Sequence, residues 1–317
     1  MRHGKYPFIL AFLLPGVVIY GVFMLSPYIQ AIWFSFTDWS GFARTQAFIG
    51  LDNYRRMLDD EQLLTALRNN FILLVFVPIV TIALGLFLAS MLNVGGRRRR
   101  GAVTGVRGSA VYKIIYFFPQ VLSVVIVAIV FKYVFAPSNA GGILNNFFHA
   151  IGVDRLFEFW RGEGRGEILW LGEPTFLIWV VAIVMIWSFA GFYVILFSAA
   201  MQSIPRDIYE AALLDGSNRF TTFRTVTVPL VWDTVQVGWV YMAIQAMDGF
   251  ALVHIMLGVN GGPQGQGDVL GVAVYRAAFQ QSNFAYAAAI GVLLLLLTMA
   301  ISLTFMRALR RERVELA

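Results

Sequence analysis

The chain has 317 residues, 59% of them hydrophobic and only 13% charged, with a net charge of +6 and no cysteine. Soluble domains carry roughly 45–50% apolar and about 25% charged residues, so an ordinary soluble domain is excluded. The missing cysteines exclude a disulfide framework, a thiolate metal site and a cysteine nucleophile.

The apolar residues come in blocks. Met1–Pro7 is short and basic (Arg2, Lys5), and 8–36 is apolar around Pro15 and Pro27. A basic start before an apolar stretch also describes a cleaved signal peptide, but this stretch is too long and no A-x-A-like site follows it. Further blocks run at about 70–92, 112–135, 175–201, 228–257 and 285–306. Each supplies the roughly 20 residues a helix needs to cross the hydrocarbon. The expected fold class is an all-α integral membrane protein with six transmembrane helices in one transmembrane domain, 1–317. No internal repeat stands out.

Six spans put both termini on one side. If that side is cytoplasmic, fifteen of the 24 Lys and Arg residues lie in inside segments, among them Arg97–Arg100 and Arg307–Arg313. Eight lie in longer outside loops: Arg44, Arg55, Arg56, Arg68, Arg155, Arg161, Arg165 and Arg276. Lys132 sits near the outer end of the third span and can snorkel outward. The bias predicts N-in and C-in. It also makes Arg97–Arg100 a topology signal and a contact for anionic membrane lipids rather than a nucleic-acid site. Outside, the polar stretch 38–69 holds GLDNYRRML. Leu144, Phe147, Phe148 and Ile151 form an apolar stripe suited to a helix at the membrane surface. The stretch 258–284 holds NGGPQGQG, read as flexible and turn-rich.

The inside loop Ser203–Leu230 gathers three basic and three acidic residues. It reads as two short helices. Pro205 suits the first turn of one, and Asp207 and Glu210 lie early, where the macrodipole favours negative charge. Gly216 supplies a left-handed stop. Ser217 or Asn218 caps a second helix through Arg224, and Pro229 opens the next apolar run. Ala211 and Ala212 leave a flat patch that another backbone could approach. From spacing alone the loop is either a solvated connector or a docking element.

No G-x-x-x-x-G-K-S/T is present, so the chain lacks that phosphate-cradling loop. His3, His149 and His254 lack metal-ligand spacing. The fifth span is polar for a membrane helix: Gln236 and Trp239 share one face, Tyr241, Gln245 and Asp248 another. Intramembrane polar groups mark pathways. Equally, such residues form interhelical hydrogen bonds, and Asp248 can sit at the interface with water.

With these residues in place, the chain resembles the permeases of ABC importers. Glu210-Ala211-Ala212, Asp215-Gly216 and Val228-Pro229 resemble their EAA loop, with Ser217 where alanine is common. FLLPGVVIYGVFMLSPYIQAIWFSFTDW, GLDNYRRML, GGILNNFF, NGGP, AVYRAAFQ and FAYAAAIGV resemble the binding-protein-dependent sugar-permease branch (maltose/glycerol-phosphate type). The resemblance covers nearly the whole chain. It implies a type I importer permease fold, in the inner membrane of a bacterial-type cell, with no catalytic residue and no cofactor in this chain. ATP and Mg would belong to a partner ATPase dimer, into which Glu210, Ala211, Ala212, Asp215 and Gly216 would dock. It further implies a second permease subunit in a heterodimer, an extracytoplasmic solute-binding protein and a di- or oligosaccharide substrate, a glycerol-phosphate-type solute being another option within the branch. The pathway candidates are Gln236, Trp239, Tyr241, Gln245 and Asp248. The alternative is an ion-coupled secondary transporter of a small polar solute, with Asp248 as carrier.

Overall fold

The computed structural model describes residues 5–43, 46–94, 105–106, 108–161 and 166–308. Arg97–Arg100 and Arg310–Arg313 therefore lie outside the described residues.

In chain order the helices are α1 (Lys5–Tyr20), α2 (Ser26–Phe34), α3 (Asp52–Asp59), α4 (Glu61–Val94), α5 (Ser109–Val121), α6 (Val124–Val134), α7 (Ile143–Ala150) and α8 (Val153–Arg161). They continue with α9 (Pro174–Gln202), α10 (Arg206–Leu214), α11 (Arg219–Thr222), α12 (Val228–Leu230), α13 (Trp232–Met247), α14 (Phe250–Leu257), α15 (Leu270–Tyr275) and α16 (Phe284–Ala308). Among the described residues four segments are long and apolar enough to cross a membrane: Ile9–Phe34, Glu61–Asn93, Pro174–Gln202 and Phe284–Arg307. Two bent helix pairs are long and apolar enough when taken together, α5 with α6 bent by 96° and α13 with α14 by 40°. Counting each pair once gives the expected six.

Pro15 and Pro27 do not interrupt the first span. A π-turn at Gly21–Leu25 joins α1 to α2, with the N–H of Ser26 reaching back to the carbonyl of Gly21. The wider turn makes room for the Pro27 ring, which cannot donate and would otherwise crowd the preceding turn. The chain repeats the device at Phe223–Thr227, where the N–H of Val228 reaches Phe223 just ahead of Pro229.

By contacts the chain falls into two compact units. One comprises residues 1–64 and 273–296. Its polar ties are made by asparagine and tyrosine. The buried Asn53 amide donates to the Ser35 and Thr37 carbonyls, both at 2.9 Å. The Tyr286 hydroxyl donates to Asp60 at 2.8 Å, with Arg56 lying over the same ring at 4.5 Å.

The other unit comprises 65–272 and 297–317 and is built on α9. Leu177, Val181, Val184, Tyr193 and Phe197 of α9 are buried. Small residues let its neighbours approach, as membrane helices require. A Cβ at Gly191 would lie 1.7 Å from the Tyr116 carbonyl oxygen of α5. The Tyr193 hydroxyl donates to the Gly238 carbonyl of α13 at 2.8 Å, satisfying both groups away from water. Asn145 of α7 donates to the Ala136 and Ile168 carbonyls and accepts from the Trp170 indole at 3.1 Å, knitting the segment between α6 and α9.

The stretch holding NGGPQGQG is tied down rather than flexible. The Asn69 amide donates to the Gln266 and Asp268 carbonyls at 2.8 and 2.9 Å. Asn70 accepts from the Leu270 N–H at 2.7 Å and donates to the Met247 carbonyl at 3.4 Å. Two adjacent amides in the N-terminal part of α4 thus satisfy backbone groups of the loop. The glycines supply its left-handed turns, with Gln264 also at φ 56°.

Candidate functional site

Two features of the second unit carry the chemistry. The first is the loop Ser203–Leu230. Pro205 sits at the N-cap of α10, one residue before the expected first turn, with φ −55° and ψ 137°. The helix ends at Asp215 in a Schellman closure. The Ser217 N–H donates to Ala212 at 3.0 Å and the Gly216 N–H to Leu213 at 3.1 Å. This closure puts Gly216 at φ +79°, and a methyl group added there would meet nothing within 4 Å. Glycine is therefore needed for conformation, not for space. Of the two expected caps it is Asn218 that acts, accepting from the Thr221 N–H at 2.8 Å. The second helix stops at Thr222 and passes into the π-turn, two residues short of Arg224.

Burial divides the five loop candidates. Glu210, Ala211, Asp215 and Gly216 are exposed, whereas Ala212 is buried beside Tyr209. One face of α10 therefore closes onto its own chain, where the Tyr209 hydroxyl meets the Thr227 hydroxyl at 3.3 Å. Burial pushes the Tyr209 phenol above its ordinary value, partly offset by that hydrogen bond. The opposite face presents Glu210 and Ala211 with Leu214, which is 89% exposed, and Phe220 of α11 is 71% exposed. Sequence reasoning missed these two. The signal was there: large apolar side chains in a charged loop, where solvation alone gives them no role. Asn218→Ala should cost about 1 kcal/mol of local stability by removing the cap. Faster amide hydrogen exchange across Arg219–Thr222, with unchanged exchange in α9, checks this.

The second feature is a cavity of about 290 Å3 where the two bent spans meet. α5 ends and α6 begins on its wall at Leu122 and Val124, and α13 gives way to α14 at Asp248–Phe250. α6 and α14 pack on each other. Gln245 and Asp248 line the cavity, joined by Gln120, Ser188, Phe189 and Phe250. The other three pathway candidates do not line it. Trp239 is buried with its ring flat on Phe305. Tyr241 lies against Phe192, with centroids 5.4 Å apart. Gln236 is half-buried further down α13. The polar residues of α13 thus separate into packing groups and cavity groups. Gln120 escaped the sequence reading because the block 112–135 reads as one continuous span, although Pro119 stands just before the break.

The model for the family described as "Binding-protein-dependent transport system inner membrane component" matches residues 81–314. The diacetylchitobiose uptake system permease protein NgcF of Streptomyces coelicolor is 37% identical over 299 residues, 94% of this chain and 81% of that protein. The alpha-glucoside transport system permease protein AglF of Rhizobium meliloti is 28% identical over 306 residues, 95% of this chain and 82% of that one. Among solved structures, a chain of a bacterial ABC transporter involved in import of the acidic polysaccharide alginate superposes with TM-score 0.77 at 23% identity, covering 97% of this chain and 96% of that one. That match shares the fold: an all-helical importer permease. The family match takes in α9, the loop Ser203–Leu230 and both bent spans, and with the helical fold it places this chain among the inner membrane components of binding-protein-dependent transport systems, the permease subunits of ABC importers.

Proposed function

We propose that this chain is one half of the membrane pathway of an ATP-driven importer for a di- or oligosaccharide. The observation that carries the substrate class is full-length similarity to permeases named for diacetylchitobiose and alpha-glucosides. In this reading the chain lies in a bacterial-type inner membrane with both termini inside, as the Lys and Arg bias supports. A related permease completes the pathway as a heterodimer. An ATPase dimer, holding ATP and Mg, docks inside on Glu210, Ala211, Asp215 and Gly216, with Ala212 setting how close α10 lies to its own chain. A solute-binding protein delivers sugar from outside. Closure of the ATPase pair moves the capped loop as a unit, because its own hydrogen bonds leave it little freedom to absorb the motion.

The test is uptake by proteoliposomes holding both permeases, the ATPase pair and the binding protein, offered labelled diacetylchitobiose and maltotriose. ATP-loaded vesicles should accumulate saccharide and ADP-loaded vesicles should not, with or without a protonophore. Accumulation by this chain alone on an ion gradient would instead establish the ion-coupled reading, with Asp248 as carrier.

A further inference from the structure

We infer that the cavity at the two helix breaks takes a hydroxyl-rich saccharide unit and turns away acidic sugars, with Asp248 as the residue that sets the discrimination. This rests on the carbohydrate-import reading above and narrows it.

The lining has a one-sided charge. Asp248 is its single ionisable side chain, and it holds no Lys, Arg or His. Among the described residues the Asp248 carboxylate has no ion-pair partner. Gln120 and Gln245 are half-buried, and neither side-chain amide has a hydrogen-bond partner among the described residues. Here all three polar groups lie around one cavity.

The backbone adds both kinds of hydrogen-bonding group. α6 and α14 start at the cavity with no side-chain cap on either N-terminus, at Ser123 and Gly249. Their first-turn N–H groups are donors without helical partners. α5 and α13 end at the same two breaks, at Val121 and Met247, and bring the opposite ends of helix dipoles. Each positive helix end is thus matched by a negative one, leaving the Asp248 charge uncompensated. A sugar hydroxyl both donates and accepts, so it can pair with amide, N–H, carbonyl and carboxylate alike. A uronate carboxylate only accepts and would meet Asp248 as a like charge. Phe189 and Phe250 supply the apolar faces on which the C–H side of a pyranose ring can rest.

The experiment is saturation-transfer NMR on the complete transporter, both permeases and the ATPase pair, in nanodiscs without binding protein. The probes are maltotriose and digalacturonate. Maltotriose should give clear transfer, with digalacturonate at most about one tenth of it, since one unfavourable charge contact readily costs a factor of ten. Asp248→Asn should weaken maltotriose severalfold and bring digalacturonate up to the same level. Gln245→Glu, which adds a second negative charge, should abolish any remaining digalacturonate signal. Equal transfer from the neutral and acidic probes in the wild type would overturn the inference. So would a discrimination that survives Asp248→Asn, or no saccharide signal at all. The import reading is judged separately by uptake, so it can stand while this inference falls.

Discussion

Gly191→Ala will prevent α5 from packing on α9 and will cost the protein its folded state in the membrane. The added methyl would lie 1.7 Å from the Tyr116 carbonyl oxygen, 2.3 Å from its carbon and 2.7 Å from the Phe117 nitrogen. All three are backbone atoms, so no rotamer change relieves the overlap and the helices must separate. Overpacking a tight core typically costs about 1–3 kcal/mol, and a backbone collision belongs at the upper end or beyond. The separation would also carry the start of the cavity away from α9, because α5 leads directly into the break at Leu122. The expected result is a large fall in unfolding temperature and loss of assembled transporter. Gly291→Ala is the matched control, since nothing lies within 4 Å of the methyl it would add. A Gly191→Ala protein as stable as the control would show that α5 and α9 do not approach as described.

Gly216→Val will leave the spans intact and separate ATP hydrolysis from transport. The position is open, so the change acts only through the φ of +79° that closes α10. Left-handed backbone costs roughly 1–2 kcal/mol for an ordinary side chain, and more for a β-branched one. The Schellman bonds from Gly216 and Ser217 would give way first, and Glu210 and Ala211 would lose their fixed relation to α11. Asparagine tolerates this conformation better. Saccharide moved per ATP hydrolysed should therefore fall in the order Gly216, Gly216→Asn, Gly216→Val, at equal thermal stability of the complex. Equal coupling in all three would remove the turn from the mechanism.

Much of this was legible in the sequence because membrane insertion writes itself in composition. Helix length, the six spans and the loop turn at Gly216 follow from hydropathy and from the one conformation glycine takes cheaply. The breaks at Leu122–Ser123 and Asp248–Gly249 do not. The first lies inside a block whose overall hydropathy reads as one span, and its local cue is Pro119, which removes a helical donor near the end of α5 three residues earlier. Without the breaks Gln120 could not be joined to Gln245. Nor could the inward turn of Ala212 be read from the Ala211-Ala212 pair, since adjacent small residues lie about 100° apart on a helix and only tertiary packing decides which one is covered. The tethered NGGPQGQG stretch failed for the same reason. Its glycines signal turns, but the amides that hold it come from Asn69 and Asn70, about two hundred residues earlier.

ATPase docking on the open face of α10 is tested most directly by a photo-crosslink in the assembled transporter. A photoreactive phenylalanine analogue placed at Leu214, which is 89% exposed, should form an adduct with the ATPase subunit and should do so more strongly when ATP is bound. The same probe at Tyr209, which is buried against Thr227, should not. Adducts at Leu214 confined to lipid or to this chain itself would contradict the docking role of the loop.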